Sequence, residues 1–535
     1  MKGERLFRIL GLIDADLIEE AVTASSPAAV QRRHTARRRW LAAAACVALA
    51  VTLTWSTGLF SRLGASMTDG STAESGGSGI ATDNEPLHVD GTTFMSYAGP
   101  VFPLTLAEET NALTAERETT WDFAPDTYHD GTPRQWGASV TDSYTLVNIT
   151  DFNQTVTTLY PFVGSFTELE TQRPAVTVDG ADVEGCLYIG SYAGGFQGVW
   201  QSDGQGGYAL DDTTLNLSHP DSWMDYKALL ADGRYLDAAL GDGPVLDIPV
   251  TVYEFTDFQA PEGYDAATQA IEFTVDQERT AVYSYGFNGG AWDPDTGWQQ
   301  RSYFVPGGQR REKELKMLVV LGDDIGDYVL QGYKDGGCDR GEELEGVDCT
   351  VTRRETTLDE VLDLLCREYL ETYAGWQYGM EDDAVSAVPF ALFRRAVGEM
   401  MVQYGPVSEA VKDRYADGRL DDIISEAMSQ ERVLYLAVPV TVPAESKVNI
   451  TFSLWKEPSF DFGCSGSENV GLQGYDFVTR LGSDLTFTEQ RAALENTDGI
   501  QIQRQNFGFD LEKGVTEVTL DWKMEHYYLE IRPKK

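Results

Sequence analysis

Hydrophobic and polar positions alternate with a period of two in KVNITFSLW, where Val448, Ile450, Phe452 and Leu454 fall on one face and Asn449, Thr451 and Ser453 on the other. Successive strand side chains point to opposite faces, so this pattern predicts a strand with one side buried. Similar alternation predicts strands at 144–149, 155–162, 175–179, 248–255, 271–275, 280–287, 347–352, 433–442, 500–503, 515–522 and 527–531. Residues 317–321 are apolar without interruption, the pattern of a central strand. Many short strands joined by polar turns point to a mainly β fold of sandwich-like domains rather than a parallel α/β sheet.

Three stretches share a further pattern of strand, polar turn and strand ending in an aromatic residue. They are SYTLVNITDFNQTVTTLYPF, IEFTVDQERTAVYSYGF and YLAVPVTVPAESKVNITFSLW. Each reads as a hairpin, and the three are either equivalent hairpins of related sandwiches or ordinary hairpins alike by chance.

The period changes to that of a helix in two places. One is 221–240, broken at Gly233. The other opens at Thr357, whose spacing to Glu360 makes a capping box, and continues through Leu358, Val361, Leu362, Leu365, Tyr369 and Tyr373. With further helical stretches at 386–404 and 407–432 it predicts an inserted α-helical subdomain.

Residues 40–60, from Trp40 to Phe60, read WLAAAACVALAVTLTWSTGLF and carry no charge. As a helix they span roughly 31 Å, close to the hydrocarbon thickness of a bilayer of about 30 Å. Arg32, Arg33, Arg37, Arg38 and Arg39 stand just before them and only Arg62 follows closely. The positive-inside bias predicts a single-pass transmembrane helix with a cytoplasmic N-terminus and the bulk of the chain outside; a cleaved signal peptide, which also exports the remainder, and a buried globular helix are the alternatives. Trp40 and Trp55 suit the two interfaces.

In the stub ahead of this segment, Leu6, Ile9, Leu10, Ile13 and Leu17 recur at helical steps. Such a short stripe either lies on the membrane or docks on a partner. LFRILGLIDADLIEEA, the arginine cluster and one membrane segment together resemble a large group of single-pass membrane proteins from Gram-positive bacteria. Those proteins carry a short stub of LxxxLGxID type and a large exported β-rich region. The resemblance is strongest over residues 1–60. It implies a cytoplasmic regulatory partner, such as a sigma factor of the extracytoplasmic-function class, meeting residues 6–22. The zinc motif H-x-x-x-C-x-x-C of anti-sigma proteins does not occur in the stub, whose only histidine is His34.

Charge sharpens this division. Eight basic and five acidic residues fall in 1–39, leaving 33 basic and 80 acidic in 61–535, a balance of −47 there. Such a polyanion repels phosphate backbones, which argues against a nucleic-acid partner. With Cys46 inside the apolar segment, five cysteines remain, so a dense disulfide framework is excluded. Cys338 and Cys349 close a short loop and either form a bridge or stay free.

Candidate chemistry is sparse. The chain has no H-E-x-x-H, Walker A loop, G-x-S-x-G elbow or G-x-G-x-x-G after a strand. His88, His129, His219 and His526 are isolated in sequence. In WDPDTGW, Asp293 and Asp295 are spaced as in calcium loops and are the candidate metal ligands. An Asp-rich β-turn explains the same string, and the twelfth residue from Asp293 is Phe304 rather than Glu. Tyr283, Tyr285, Phe287, Trp292 and Trp298 form either a sugar- or peptide-binding platform or a sandwich core.

The organisation expected is a stub at 1–39, a transmembrane helix at 40–60 and a flexible linker at 61–85. β-rich domains follow at 86–245, 246–355 and 433–535, with the α-helical subdomain at 356–432. The function expected is that of an anchored extracytoplasmic binding or sensing module. A surface hydrolase acting on glycan or peptide and a structural envelope protein are the alternatives.

Overall fold

The computed structural model describes residues 99–534, except 109, 128–130, 135–136, 193–200, 203–207, 210–233, 262, 264–265, 307–314, 404–405, 408–417, 459 and 462–470. The stub, the apolar segment 40–60 and the linker 61–85 therefore lie outside the described residues. Among the described residues no helix is long and apolar enough to cross a membrane. The described residues belong to one compact unit, and it is mainly β.

Its first strands are β1 (Thr105–Leu106), β2 (Leu113–Asp122), β3 (Ala138–Asn148) and β4 (Gln154–Gly164), then β5 (Ala175–Val178), β6 (Ala181–Asp182) and β7 (Cys186–Tyr192). A small pair, β8 (Gln201–Ser202) and β9 (Tyr208–Ala209), and the helix α1 (Arg234–Leu240) follow. The middle of the chain supplies β10 (Pro249–Gln259), β11 (Ala266–Thr274), β12 (Thr280–Tyr285), β13 (Gly289–Trp292), β14 (Trp298–Pro306), β15 (Lys316–Gly322), β16 (Tyr328–Tyr333) and β17 (Asp348–Thr357). Three longer helices come next, α2 (Leu358–Tyr369), α3 (Phe390–Gln403) and α4 (Leu420–Ser429). The C-terminal strands are β18 (Arg432–Val442), β19 (Lys447–Lys456), β20 (Phe460–Asp461), β21 (Gln473–Val478), β22 (Thr486–Glu495), β23 (Ile500–Gln505), β24 (Glu517–Thr519) and β25 (His526–Pro533).

Strands from the two ends of this unit build one body. A seven-stranded sheet runs β24-β22-β2-β3-β19-β5-β6, and β4 lies beside β18 in a four-stranded sheet β1-β4-β18-β7. The stretches 86–245 and 433–535, expected as separate domains, therefore interleave. Stretch 246–355 largely coincides with a second sandwich, whose sheets are β12-β15-β10-β17 and β13-β14-β11-β16.

One face of the long strands β2 and β3 covers two cores in succession. Leu113, Ala115, Tyr144 and Leu146 pack in a core with Val156, Tyr160 and Phe162 of β4. Trp121, Ala138 and Val140 pack in another with Tyr475, Phe477, Tyr527 and Leu529 of the sheet β20-β21-β25-β23. At the divide sits a fully buried ion pair, Arg117–Asp142, with Oδ2 at 2.8 Å and Oδ1 at 2.9 Å from the guanidinium. Thr119 and Tyr144 each donate a hydroxyl to Asp142 at 2.6 Å. The carboxylate thus accepts four hydrogen bonds, which a charge without water requires.

The three expected hairpins are arches instead. Within each pair the strands lie in different sheets: β3 and β4, β11 and β12, and β18 and β19. The polar turn carries the chain across the sandwich rather than back along the same sheet. The pattern the three stretches share is therefore that of an arch, and two of the arches lie side by side, β3 on β19 and β4 on β18.

The continuously apolar run is indeed central: β15 lies between β12 and β10. Its Leu318 and Val320 enter the core of the second sandwich, while Met317, Val319 and Leu321 join the core that the helices share with the first body. The helices follow the predicted period. Thr357 caps α2 by accepting from the Glu360 amide at 3.3 Å, and the Glu360 carboxylate bonds the Thr356 hydroxyl. Of the expected helix at 221–240, the described part is α1.

Candidate functional site: a cleft over a buried clamp

The outward face of the sheet β1-β4-β18-β7 is apolar as well as its inward one. Leu159, Val433, Tyr435 and Ala437 alternate with the inward residues and form a small core with Phe102, Val478 and α1. Gly190 on β7 allows α1 to approach, since a Cβ there would stand 2.6 Å from the Val433 carbonyl oxygen and 2.9 Å from that of Tyr235.

Beside α1 this outer core opens into a cleft of about 400 Å³. Tyr235, Leu236, Val433, Tyr435, Phe102 and Pro103 line it, together with Pro161 and the turn from Arg480 to Asp484. A volume of this size, apolar walls and a few polar groups are what a small-ligand site requires. Arg480 reaches Glu525 at 3.5 Å and lies 5.6 Å from the centre of the Trp522 ring, which is half exposed. The Ser483 hydroxyl donates to the Leu104 carbonyl at 2.5 Å, and the Asp484 amide donates to Thr105 Oγ1 at 3.1 Å.

The floor of the cleft is fixed from beneath. Arg117, already held by Asp142, donates to the Phe102 carbonyl at 2.7 Å and to the Val478 carbonyl at 2.8 Å, and its guanidinium lies 4.2 Å from the centre of the Phe477 ring. Val101 completes the junction, donating to the Asp476 carbonyl and accepting from the Val478 amide. Burial works to lower the Arg117 pKa, but the attraction of Asp142 prevails and holds it above the usual value. One side chain therefore ties together β2, β3, β21 and the Phe102 segment.

On the same face of β21 as Val478, Asp476 lies 2.6 Å from Nε2 of His526 on β25, both side chains buried. Lys456 at the end of β19 is buried too and donates to the Glu457 carbonyl at 3.0 Å. Burial pulls its pKa down to about 8, against the opposing attraction of Glu431, Glu457 and Asp476. The space beside Lys456, walled by Tyr160, Gln172 and Trp455, measures about 20 Å³. That holds a water molecule and nothing larger.

Asp293 and Asp295 lie elsewhere, in the turn joining β13 to β14. Asp293 accepts from the Asp295 amide at 2.9 Å, and hydrogen bonds from Thr296 and Asp295 hold its pKa below the usual carboxylate value. The Asp293 carbonyl accepts from Gly297 at 2.9 Å, which closes the turn, and Gly297 has φ +73° with the Val275 carbonyl oxygen only 2.0 Å from where a Cβ would sit. The spacing thus makes a hairpin turn, and among the described residues no three His, Cys, Asp or Glu gather as a metal site.

The aromatic cluster divides likewise. Tyr283 and Tyr285 are buried in the core on one face of β12, and Phe287 is buried in the core on its other side. Only Trp292 is largely exposed. Cys338 and Cys349 are free thiols. Cys338 bonds Ser302 and Cys349 bonds Tyr303, adjacent residues of β14 whose side chains point to opposite faces, so the pleat of that strand separates the two sulfurs.

Sequence reasoning thus missed the cleft, the clamp and the Asp476–His526 pair. The available signal was charge at strand positions where apolar residues alternate, as in GYDFV and HYYLEI. No family model matches the chain, and no curated protein matches it.

Proposed function

We propose that the chain is an extracytoplasmic binding or sensing module anchored in the membrane by residues 40–60. Its β-sandwich body presents the cleft as a ligand site, and residues 6–22 meet a cytoplasmic regulator such as a sigma factor. The observation that carries the binding half is the 400 Å³ cleft set on a floor pinned by Arg117. A preformed, rigid floor lowers the cost of ordering on binding. The topology rests on the charge-free 40–60 segment and on the five arginines before it.

Crystals of the protein soaked with a library of small fragments test the site. Fragments should collect between Tyr235, Tyr435 and Leu481, and a library that leaves this cleft empty would remove the binding reading. Protease added to intact cells should digest the body, whereas a chain untouched until lysis would reverse the topology.

A surface hydrolase is the second reading, favoured by the lowered pKa of Lys456 close to Asp476 and His526. The space at Lys456 admits water but no glycan or peptide. Burial raises the pKa of the Glu426 carboxylate, as a general acid requires, but Glu426 lies on α4 and does not line the cleft. These two facts favour binding over hydrolysis.

A further inference from the structure

We propose that the cleft selects a small organic cation, an ammonium group carried on an aromatic or aliphatic body. This deepens the binding reading and rests on it. The base of the cleft is the edge of the outer core, in which Phe102, Tyr235, Val433 and Tyr435 are buried, and the half-buried Leu236 and Leu481 are the apolar side chains a bound body meets. Aliphatic side chains of this kind cover an apolar body, and the sign of its charged group is left to the polar residues around them.

The charges at the mouth decide the sign. Two carboxylates, Asp484 and Glu525, accompany one guanidinium, Arg480. Arg480 is engaged by Glu525 and by the Trp522 ring. Asp484 differs: it is exposed, its backbone is fixed through Thr105, and among the described residues no hydrogen bond or ion pair reaches its carboxylate. An anion entering here meets an uncompensated carboxylate, set in a body whose residues 61–535 carry −47. A cation meets that same carboxylate at the edge of an apolar wall, where its charge stays near water while its body is buried.

Three matched probes test this: 3-phenylpropylammonium, 3-phenylpropan-1-ol and 3-phenylpropanoate. Each is titrated calorimetrically into the full-length chain in nanodiscs of zwitterionic lipid, with empty nanodiscs as the blank. The ammonium should bind about tenfold more tightly than the carboxylate, with the alcohol between them. Asp484→Asn should weaken the ammonium about three- to fivefold and leave the alcohol unchanged. Leu481→Trp, which fills the cleft, should abolish all three.

Equal or tighter binding of 3-phenylpropanoate would overturn the charge preference, as would ammonium binding indifferent to Asp484→Asn. If the alcohol still binds and Leu481→Trp removes it, the cleft stands as a ligand site without the preference. Binding of no probe, or binding that survives Leu481→Trp, would overturn both.

Discussion

At the scale of single residues, the polar side chains turned inward decide both what holds the body together and what could be read in advance. β2 presents Leu113, Ala115, Arg117, Thr119 and Trp121 to the interior. Two of those five are polar, so the strand's alternation is invisible in hydropathy, although its geometry is regular. The same disguise hides β22, whose inward Gln490 donates to the Thr479 carbonyl at 2.9 Å. Arg117 without Asp142, or the reverse, would leave a buried charge unpaired, a loss of about 3–5 kcal/mol. Lys456 gives a sharper test. Its ammonium is held near pKa 8 in the folded chain, whereas an unfolded chain keeps the proton to about 10.4. Between those values unfolding takes up a proton, so this residue's share of stability rises with pH from about 8 and is smallest below it. Buried tyrosines such as Tyr475, whose pKa burial raises, act in the opposite direction above their ordinary value. A comparison with Lys456→Met cancels them. The melting temperature of the natural chain should gain on that of the variant between pH 8 and 10, and parallel profiles would contradict the shift.

Among elements, the arch is the recurring device, and Asn148 is what locks two of them together. Its buried side chain donates to the carbonyls of Phe152, Val442 and Pro443 at 2.8–3.1 Å and accepts from the Thr150 amide at 2.9 Å. The loop after β3 and the loop after β18 are thereby tied across nearly 300 positions of chain. Asn148→Ala removes these bonds and takes the side-chain donor from the buried Val442 carbonyl, for an expected loss of about 1–3 kcal/mol. Asn148→Asp keeps the acceptor and loses the donors, so it should be no better. Chemical denaturation of both variants reads the effect, and unchanged midpoints would show that the arches stack without this residue. Strands were legible wherever the inward side is apolar, as in β19 and β18. The path between them was not, because a polar turn of a few residues suits a hairpin and an arch equally, and the choice lies with partners distant in sequence.

For the whole molecule, that same distance explains why domain boundaries drawn from composition fail. Residues 86–245 read as a domain because they hold their own strands and turns. Yet β3 pairs with β19, and β2 takes β22 as a parallel neighbour. Cut at residue 245, the first stretch leaves the edges of β2, β3 and β4 open and half of two cores uncovered. Expressed alone, 86–245 should show a disordered circular-dichroism spectrum and bind hydrophobic dye, and 86–245 joined by a flexible linker to 433–535 should recover β signal. A folded spectrum from the first fragment alone would refute the interleaved architecture. The cleft draws on both ends of the chain for the same reason: Phe102 and Pro103 come from one, Val433 and Arg480 from the other.

The interleaving of β3 with β19 also has a consequence in time. A ribosome releases the earlier of these partners some three hundred residues before the later, so the half-built sandwich must wait with its sticky borders bare until the later strand has been made. Folding is correspondingly late and slow for its size. A chain of this design depends on escorts that shield it meanwhile, and a nonsense codon anywhere before β19 yields a product for degradation rather than a smaller working protein.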